Sequence, residues 1–230
     1  MSQTKKAVVF LISFFITLFA TSLSFQFIAP LVIGLEQSAI FNIVSPLIST
    51  IALLIFIILQ ALIKYMFNRR ALVSNANLVS ANISKFGIKE RLLPYAFFLL
   101  IYFIPLLRGM IFDYTFMIRI LLFIGSVVIV EILLRISNNR TKIFFQRNGF
   151  LITGFDARAE IPFGMNTIIN NDSGFYSYKD IKEYLVFPDR IELKLINDTG
   201  KIVFMANGEL KRQFTGLMVQ HKIPVKKVSE

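Results

Sequence analysis

Charge set inside apolar sequence is the first feature of this chain that could do chemistry. Arg119 and Glu131 stand in a stretch otherwise free of charge, with Arg135 four residues after Glu131. In a low-dielectric surrounding such groups relay protons, hold ions or pair with one another. Gln26, Asn42 and Gln60 add uncharged polar groups to two other apolar stretches, where hydrogen bonding between neighbouring helices is their ordinary use. A transport path needs several such groups at one depth. Gln26 and Asn42 fall toward one end of their segments, Gln60 and Glu131 toward the other. That scatter argues against a proton relay.

Elsewhere the chemical vocabulary is thin. Asp180 with Glu183, and Asp189 with Glu192, are carboxylates near enough in sequence for acid–base work. At that spacing near strand ends they read as solvated surface. The absence of cysteine removes disulfides, thiolate nucleophiles and Cys-ligated metals, and the lone His221 gives no histidine cluster. Gly-rich phosphate loops, metal-ligand spacings and nucleophile elbows do not occur. The expectation is a protein without catalytic residues, metal or cofactor.

The elements that carry the polar groups are four long apolar segments, expected as helices at about 7–34, 38–65, 92–108 and 114–135. The first runs uncharged from Ala7 to Leu35 and the second from Gln37 to Ile63. About 20 apolar residues cross a bilayer, and in lipid every backbone polar group must be paired within the segment, which favours helices. Pro30 is expected to bend or end the first helix, and Pro94 to sit in the first turn of the third. The fold class expected is α+β: a transmembrane domain over 1–136, then a small antiparallel β domain over 140–222 capped by a helix, and a tail at 223–230.

Charge orients the chain. The formal net charge is +11, and residues 1–136 carry 11 Lys and Arg against 4 Asp and Glu. Lys5 and Lys6 precede the first segment. Lys64, Arg69, Arg70, Lys85, Lys89 and Arg91 lie around the connection 67–91, and Arg140, Lys142 and Arg147 follow the fourth segment. Basic connections stay inside the cell, so four spans put both termini and the β domain in the cytoplasm of a cell-membrane protein. Residues 67–91 read as a basic loop lying on the anionic inner leaflet. Mixed signs in the β domain, with no basic stripe and interleaved aromatics, argue against nucleic acid as a partner.

From Thr141 the pattern turns to period two. Lys142-Ile143-Phe144-Phe145, Arg147-Asn148-Gly149 and Phe150-Leu151-Ile152-Thr153 spell a hairpin. Further strands are expected at Ala159 to Phe163, at Asn166 to Asn170 or Phe175 to Tyr178, at Ile181 to Phe187, at Arg190 to Ile196 and at Lys201 to Ala206, with a turn at Asn197-Asp198-Thr199-Gly200. Leu210, Phe214, Leu217 and Met218 form the apolar stripe of a closing helix capped by Asn207.

The hairpin Ile143–Thr153, the stretch Phe175–Tyr184, the meander Arg190–Ala206 and the last helix together resemble multi-pass bacterial membrane proteins with a cytoplasmic pleckstrin-homology-like (PH-like) domain. Tyr178-Lys179-Asp180-Ile181 is similar to a W/Y-x-D-I step in that family. The resemblance covers about residues 140–222 and implies a binding or scaffolding module without enzymatic activity. The phosphoinositide clamp of eukaryotic relatives does not carry over, because Arg147-Asn148-Gly149 lacks the dense Lys/Arg set. The expectation is a membrane adaptor or regulator whose β domain meets a membrane or cytoplasmic protein partner or the inner leaflet, with Tyr176, Tyr178 and Tyr184 as contact area. Lateral self-association is open. A small channel or transporter component and an envelope immunity or stress protein are the alternatives.

Overall fold

The computed structural model describes residues 3–74, 77–108, 114–161, 170–196 and 200–226. The chain is α+β. Helix α1 spans Gln3–Val32. Helix α2 passes through Gln37–Ala39, a π-turn at Ile40–Val44 and Ser45–Ser74. Helix α3 spans Ile88–Phe103 and tightens into a 3₁₀ turn at Ile104–Arg108, and α4 spans Tyr114–Arg140. Three helices, Thr4–Val32, Gln37–Val73 and Tyr114–Arg140, are long and apolar enough to cross a membrane. The 16 residues of α3 rise about 24 Å, so this helix is shorter than the other three. It begins at Ile88, which puts Pro94 inside the helix rather than in its first turn. Pro30 lies within α1 and does not end it.

The connection expected as a loop over 67–91 is largely ordered structure. Helix α2 runs on to Ser74, and Asn77–Asn82 forms a strand, β1. The remaining strands are β2 (Lys142–Gln146), β3 (Gly149–Thr153), β4 (Gly174–Ser177), β5 (Ile181–Val186), β6 (Arg190–Leu195) and β7 (Lys201–Met205), followed by helix α5 (Gly208–Gln220). One antiparallel sheet has the order β1-β2-β3-β4 and a second β5-β6-β7. They meet where Ile83 bridges Phe204 and the Ser84 N–H donates to Val203 O at 2.9 Å. The β domain therefore starts at β1, not at residue 140, and α3 and α4 are a helical hairpin inserted between its first two strands. In the sequence Leu72-Val73-Ser74-Asn75 recurs six residues on as Leu78-Val79-Ser80-Ala81-Asn82, a period that fits neither helix nor strand and hides this strand. Its pairing partner lies some sixty residues away, Ser80 opposite Phe144 and Ala81 opposite Ile143.

Alternation in β2 and β3 points Ile143, Phe145, Phe150 and Ile152 at the second sheet. There Phe145, Phe204 and Phe214 of α5 pack with ring centroids 5.2 Å apart. The opposite face of the same strands carries Leu151, Thr153 and Gln146, all buried. That face is covered by the extension of α2, where Gln146 Nε2 donates to Ala71 O at 3.2 Å. Hence every residue of β3 is buried.

After β3 the chain turns at Gly154 (φ +149°), where a Cβ would lie 2.2 Å from Arg140 O. The strand expected at Ala159 to Phe163 is absent over its described part, because Phe155–Ile161 runs without regular structure into the angle between α2 and the sheet. Residues 162–169, which hold one of the two alternative strands, and the turn residues 197–199 lie outside the described residues. The other alternative is β4. The start of the expected tail is ordered: Tyr184 N donates to Pro224 O at 3.2 Å and Lys226 N to Tyr184 O at 2.9 Å, laying residues 224–226 beside β5.

If β1 is a core strand, neighbouring positions respond oppositely to one substitution. Ala81→Asp, on the buried face, is expected to open the β domain to limited proteolysis. Ser80→Asp, on the exposed face, is expected to leave the digestion pattern unchanged.

Candidate functional site

The densest polar chemistry lies where the helices meet the β domain. Phe155–Ile161 alternates charged and apolar residues, and its charged members, Asp156, Arg158 and Glu160, are all buried. Arg158 forks onto Asp156, with Nε to Oδ1 at 2.8 Å and Nη2 to Oδ2 at 2.7 Å. The same guanidinium donates to Asn170 O at 2.6 Å and Asn171 O at 2.7 Å and lies 4.7 Å from the centre of the Phe86 ring. Ser173 donates its hydroxyl to Asp156 Oδ2.

Glu160 extends this chain of charges to the helices. Lys64 of α2 donates to Glu160 Oε1 at 2.7 Å and to Arg158 O at 3.1 Å. Lys6 of α1 lies 3.4 Å from Glu160 Oε2 and 2.7 Å from Asp172 Oδ2. Gln60 clasps the backbone of Glu160 from both sides, Nε2 to Glu160 O at 2.9 Å and Glu160 N to Oε1 at 3.1 Å. Three carboxylates and three cations thus balance in one buried junction. Asn171, at φ +56°, completes it: its backbone N donates to Lys201 O, its Oδ1 accepts from Val203 N at 2.6 Å, and its Nδ2 donates to Ser84 Oγ at 3.1 Å.

Burial raises the Asp156 carboxyl, but the Arg158 and Lys64 charges outweigh it and hold the group well below the usual carboxylate range. Glu160 is likewise raised by burial and pulled down further by Lys64 and Lys6. Asp172 ends on the other side. Burial and the neighbouring Glu160 push it up more than Lys6 pulls it down. Burial also opposes charge on Arg158, and Asp156 more than restores it, so the guanidinium is raised.

Two of the residues expected from the sequence to act elsewhere join this junction. Lys64, expected on the membrane surface, is only 3% exposed. Gln60, expected to bond between helices, bonds to the backbone at Glu160 instead. The sequence does hold a signal for the rest in Asp156-x-Arg158-x-Glu160, which reads as a solvated strand face until the segment is placed against α2.

A second polar cluster lies at the opposite end of the bundle. Arg119 is 1% exposed. It donates to Tyr102 O at 2.6 Å, Ile101 O at 3.4 Å, Phe41 O at 3.2 Å and Asn42 Oδ1 at 3.0 Å. Asn42 donates in turn to Thr115 Oγ1 at 2.8 Å. Both helices supply carbonyls because both are interrupted. In the π-turn the Ser45 N–H reaches Ile40 O and passes over Phe41 O. Pro105 has no N–H to offer Ile101 O.

Glu131 is a third, smaller centre. It accepts from Arg91 at 2.6 Å and from Tyr95 Oη at 2.7 Å, with Arg135 3.6 Å away. Arg91 is therefore paired rather than a free surface cation. Gln26, Arg69, Arg70 and Lys85 are exposed, and the Lys89 side chain lies outside the described residues. Tyr178 and Tyr184 are 4% and 2% exposed, so they are core rather than contact area. Burial lifts the Tyr178 hydroxyl to about 12. Tyr176 is half-buried, stacked on Phe150 and donating to Asp172 O.

The junction makes two predictions. Arg158→Met strands Asp156 and is expected to cost about 3–5 kcal/mol of stability, read as a fall in the midpoint of thermal unfolding. The pH dependence follows from the depressed carboxylates. Asp156 and Glu160 release protons more readily folded than unfolded, so their stabilisation is complete above their ordinary values of 3.8 and 4.5 and is lost as pH falls through and below them. Asp172, being raised, acts with the opposite sign: its contribution is present at low pH and lost as pH rises. The unfolding midpoint is expected to drop as pH falls below about 4.5, and Asp156→Asn to flatten that drop.

No protein-family model matches the sequence, and no curated protein matches it.

Proposed function

We propose that this chain is a membrane-anchored, non-enzymatic adaptor or regulator. Four spans, α1 to α4, cross the cell membrane, and a PH-like β domain sits at the inner face for a protein partner. The observation that carries the reading is the joining of sheet and bundle: β1 comes from between α2 and α3, and β2 follows α4 after one residue. A sheet built onto the helices in this way passes a displacement of either part to the other. Two sheets of four and three strands closed by a C-terminal helix accord with the PH-like reading. The exposed cations Arg69, Arg70, Lys85, Arg135, Arg140 and Lys142 gather at the β-domain end of the bundle, which supports a cytoplasmic β domain and cytoplasmic termini. With Tyr178 and Tyr184 in the core, the contact area shifts to exposed Phe175 on edge strand β4 and Val219 on α5.

The channel reading has one observation in its favour, the burial of Arg119 inside the bundle. That guanidinium, however, is taken up by backbone carbonyls and Asn42, a closed arrangement rather than a path.

A photo-crosslinking side chain at Phe175 or Val219 of the full-length protein in native membranes is expected to capture a discrete protein, while one at Phe19 on α1 captures lipid. Equal, diffuse labelling at all three positions would reject the adaptor reading. A reporter fused after Glu230 is expected to be active only on the cytoplasmic side. Against the channel reading, reconstituted protein is expected to give no flux above empty vesicles; a flux that Glu131→Gln changes would support that reading instead.

A further inference from the structure

We propose that the outer edge of β5 is a docking site for an extended segment of a protein partner, and that residues 224–226 hold that site as a displaceable strap. The inference rests on the adaptor reading above and gives the form of the partner. The end of α5 aims the strap at this edge. Lys222 N donates to Val219 O and Ile223 N to Met218 O, both at 3.0 Å, with Lys222 at φ +56°, a position where glycine is usual. Ile223 is buried in the core, so the chain beyond it swings from a fixed point.

The strap holds one residue of the edge and stops. Tyr184 N donates to Pro224 O at 3.2 Å and Lys226 N to Tyr184 O at 2.9 Å, a parallel pairing of Tyr184 with Val225. Backward, the next bond of such a ladder would come from the N–H of residue 224, and proline has none. Forward, alternation turns the Val186 N–H to the same edge as that of Tyr184, yet it has no backbone partner among the described residues. Strand β5 itself is held without the strap. The Tyr184 ring packs edge to face on Phe214 at 5.6 Å, and β6 pairs along the other side. The edge therefore keeps its shape when the strap leaves.

The seated strap shows what the edge accepts. Its backbone is extended and parallel to β5, so main-chain bonds supply the hold and side chains the selection. Glu183 is the selecting group: its carboxylate lies 3.5 Å from Lys226 and 3.0 Å from Lys194. A partner segment therefore carries Lys or Arg at the place of Lys226 and, unlike the strap, an N–H at the place of Pro224. Val186 and Val225 are exposed, and Val219 of the contact area lies one turn before the strap. A tethered strap competes at an effective concentration on the order of 1 mM. The partner displaces it by pairing over more of the edge than the strap does.

Full-length protein in lipid nanodiscs is titrated with a fluorescein-labelled peptide that has the sequence of residues 222–228 with Pro224→Thr. In the protein, Lys226→Pro removes the donor to Tyr184 O and is expected to raise the affinity for this peptide at least ten-fold. Adding Glu183→Lys is expected to cancel the gain, and Lys226→Glu in the peptide to restore it, a rescue that a misfolded protein would not give. Should Lys226→Pro fail to fold, amide exchange of the unaltered chain decides. There the Tyr184 N–H is expected to exchange faster than that of Leu185 and to slow at least two-fold with saturating peptide. Unchanged exchange overturns the site, and so does equal affinity, or no binding, for the unaltered and Lys226→Pro proteins. A dimer of the unaltered chain that Lys226→Pro abolishes gives the edge to the strap of a second copy and also overturns the proposal. Failure of the peptide beside discrete capture at Phe175 rejects this site alone, whereas diffuse capture there rejects the adaptor reading on which it rests.

Discussion

The Lys64–Glu160–Lys6 bridge holds the two halves of this molecule in register, with the Asp156–Arg158 fork fixing the segment that carries Glu160, because none of these charges can stay buried alone. Desolvating an ion costs several kcal/mol, and the return comes only with good geometry and full pairing. Buried pairs of this kind are poor contributors of net stability, since an apolar set of equal volume packs as well. What they supply is a penalty for every other docking of Phe155–Ile161 on α2. A slip of one residue in this alternating segment turns the charged side chains to the wrong face and takes Glu160 away from Lys64 and Lys6.

The topology makes that register matter. The hairpin α3–α4 is inserted between β1 and β2, and α2 serves two layers, as one wall of the bundle and as the cover of the first sheet. Leu151 and Gln146 are buried because the helix that carries Gln60 and Lys64 continues past them to Ser74. The β domain cannot complete its first sheet until the hairpin has brought β1 back to β2. Pairings of such long sequence separation form late, after the loop-closure entropy has been met.

Legibility in the sequence followed the range of the interactions. Elements fixed by local chemistry were readable: the apolar helices, the Asn148-Gly149 hairpin, the alternation of Arg190–Leu195, and α5 with its Asn207 cap and its buried Phe214 and Met218. Elements fixed by distant partners were not. β1 has neither clean alternation nor turn signals, and only its pairing with β2 and its bridge to Phe204 make it a strand. Asp156, Arg158 and Glu160 look like a solvated strand face, since nothing local tells that α2 covers them. In the sequence Lys6 and Lys64 serve as markers of orientation, a role that does not exclude pairing but hides it. Tyr178 and Tyr184 look like contact area in the sequence because aromatic content says nothing about which side of a sheet is closed.

The far end of the bundle obeys the same rule with different means. A π-turn in α2 and Pro105 after α3 each release carbonyls in apolar surroundings, where water cannot satisfy them. Arg119 takes up both sets with one guanidinium, whose fixed fork suits several acceptors at once where a lysine ammonium would not. Midway, Thr50 Oγ1 lies 2.9 Å from Tyr102 Oη, which lies 2.9 Å from Ser126 Oγ. Ser126 donates to Leu122 O, so protons run from Thr50 through Tyr102 to Ser126 and tie α2, α3 and α4 across the core. Both of these ties bypass α1, which packs chiefly on α2 and meets the polar network at Lys6. A shift of α1 against the other three helices would therefore be felt first at Glu160 and Asp172, the two carboxylates that share Lys6 and stand between the helices and the sheet.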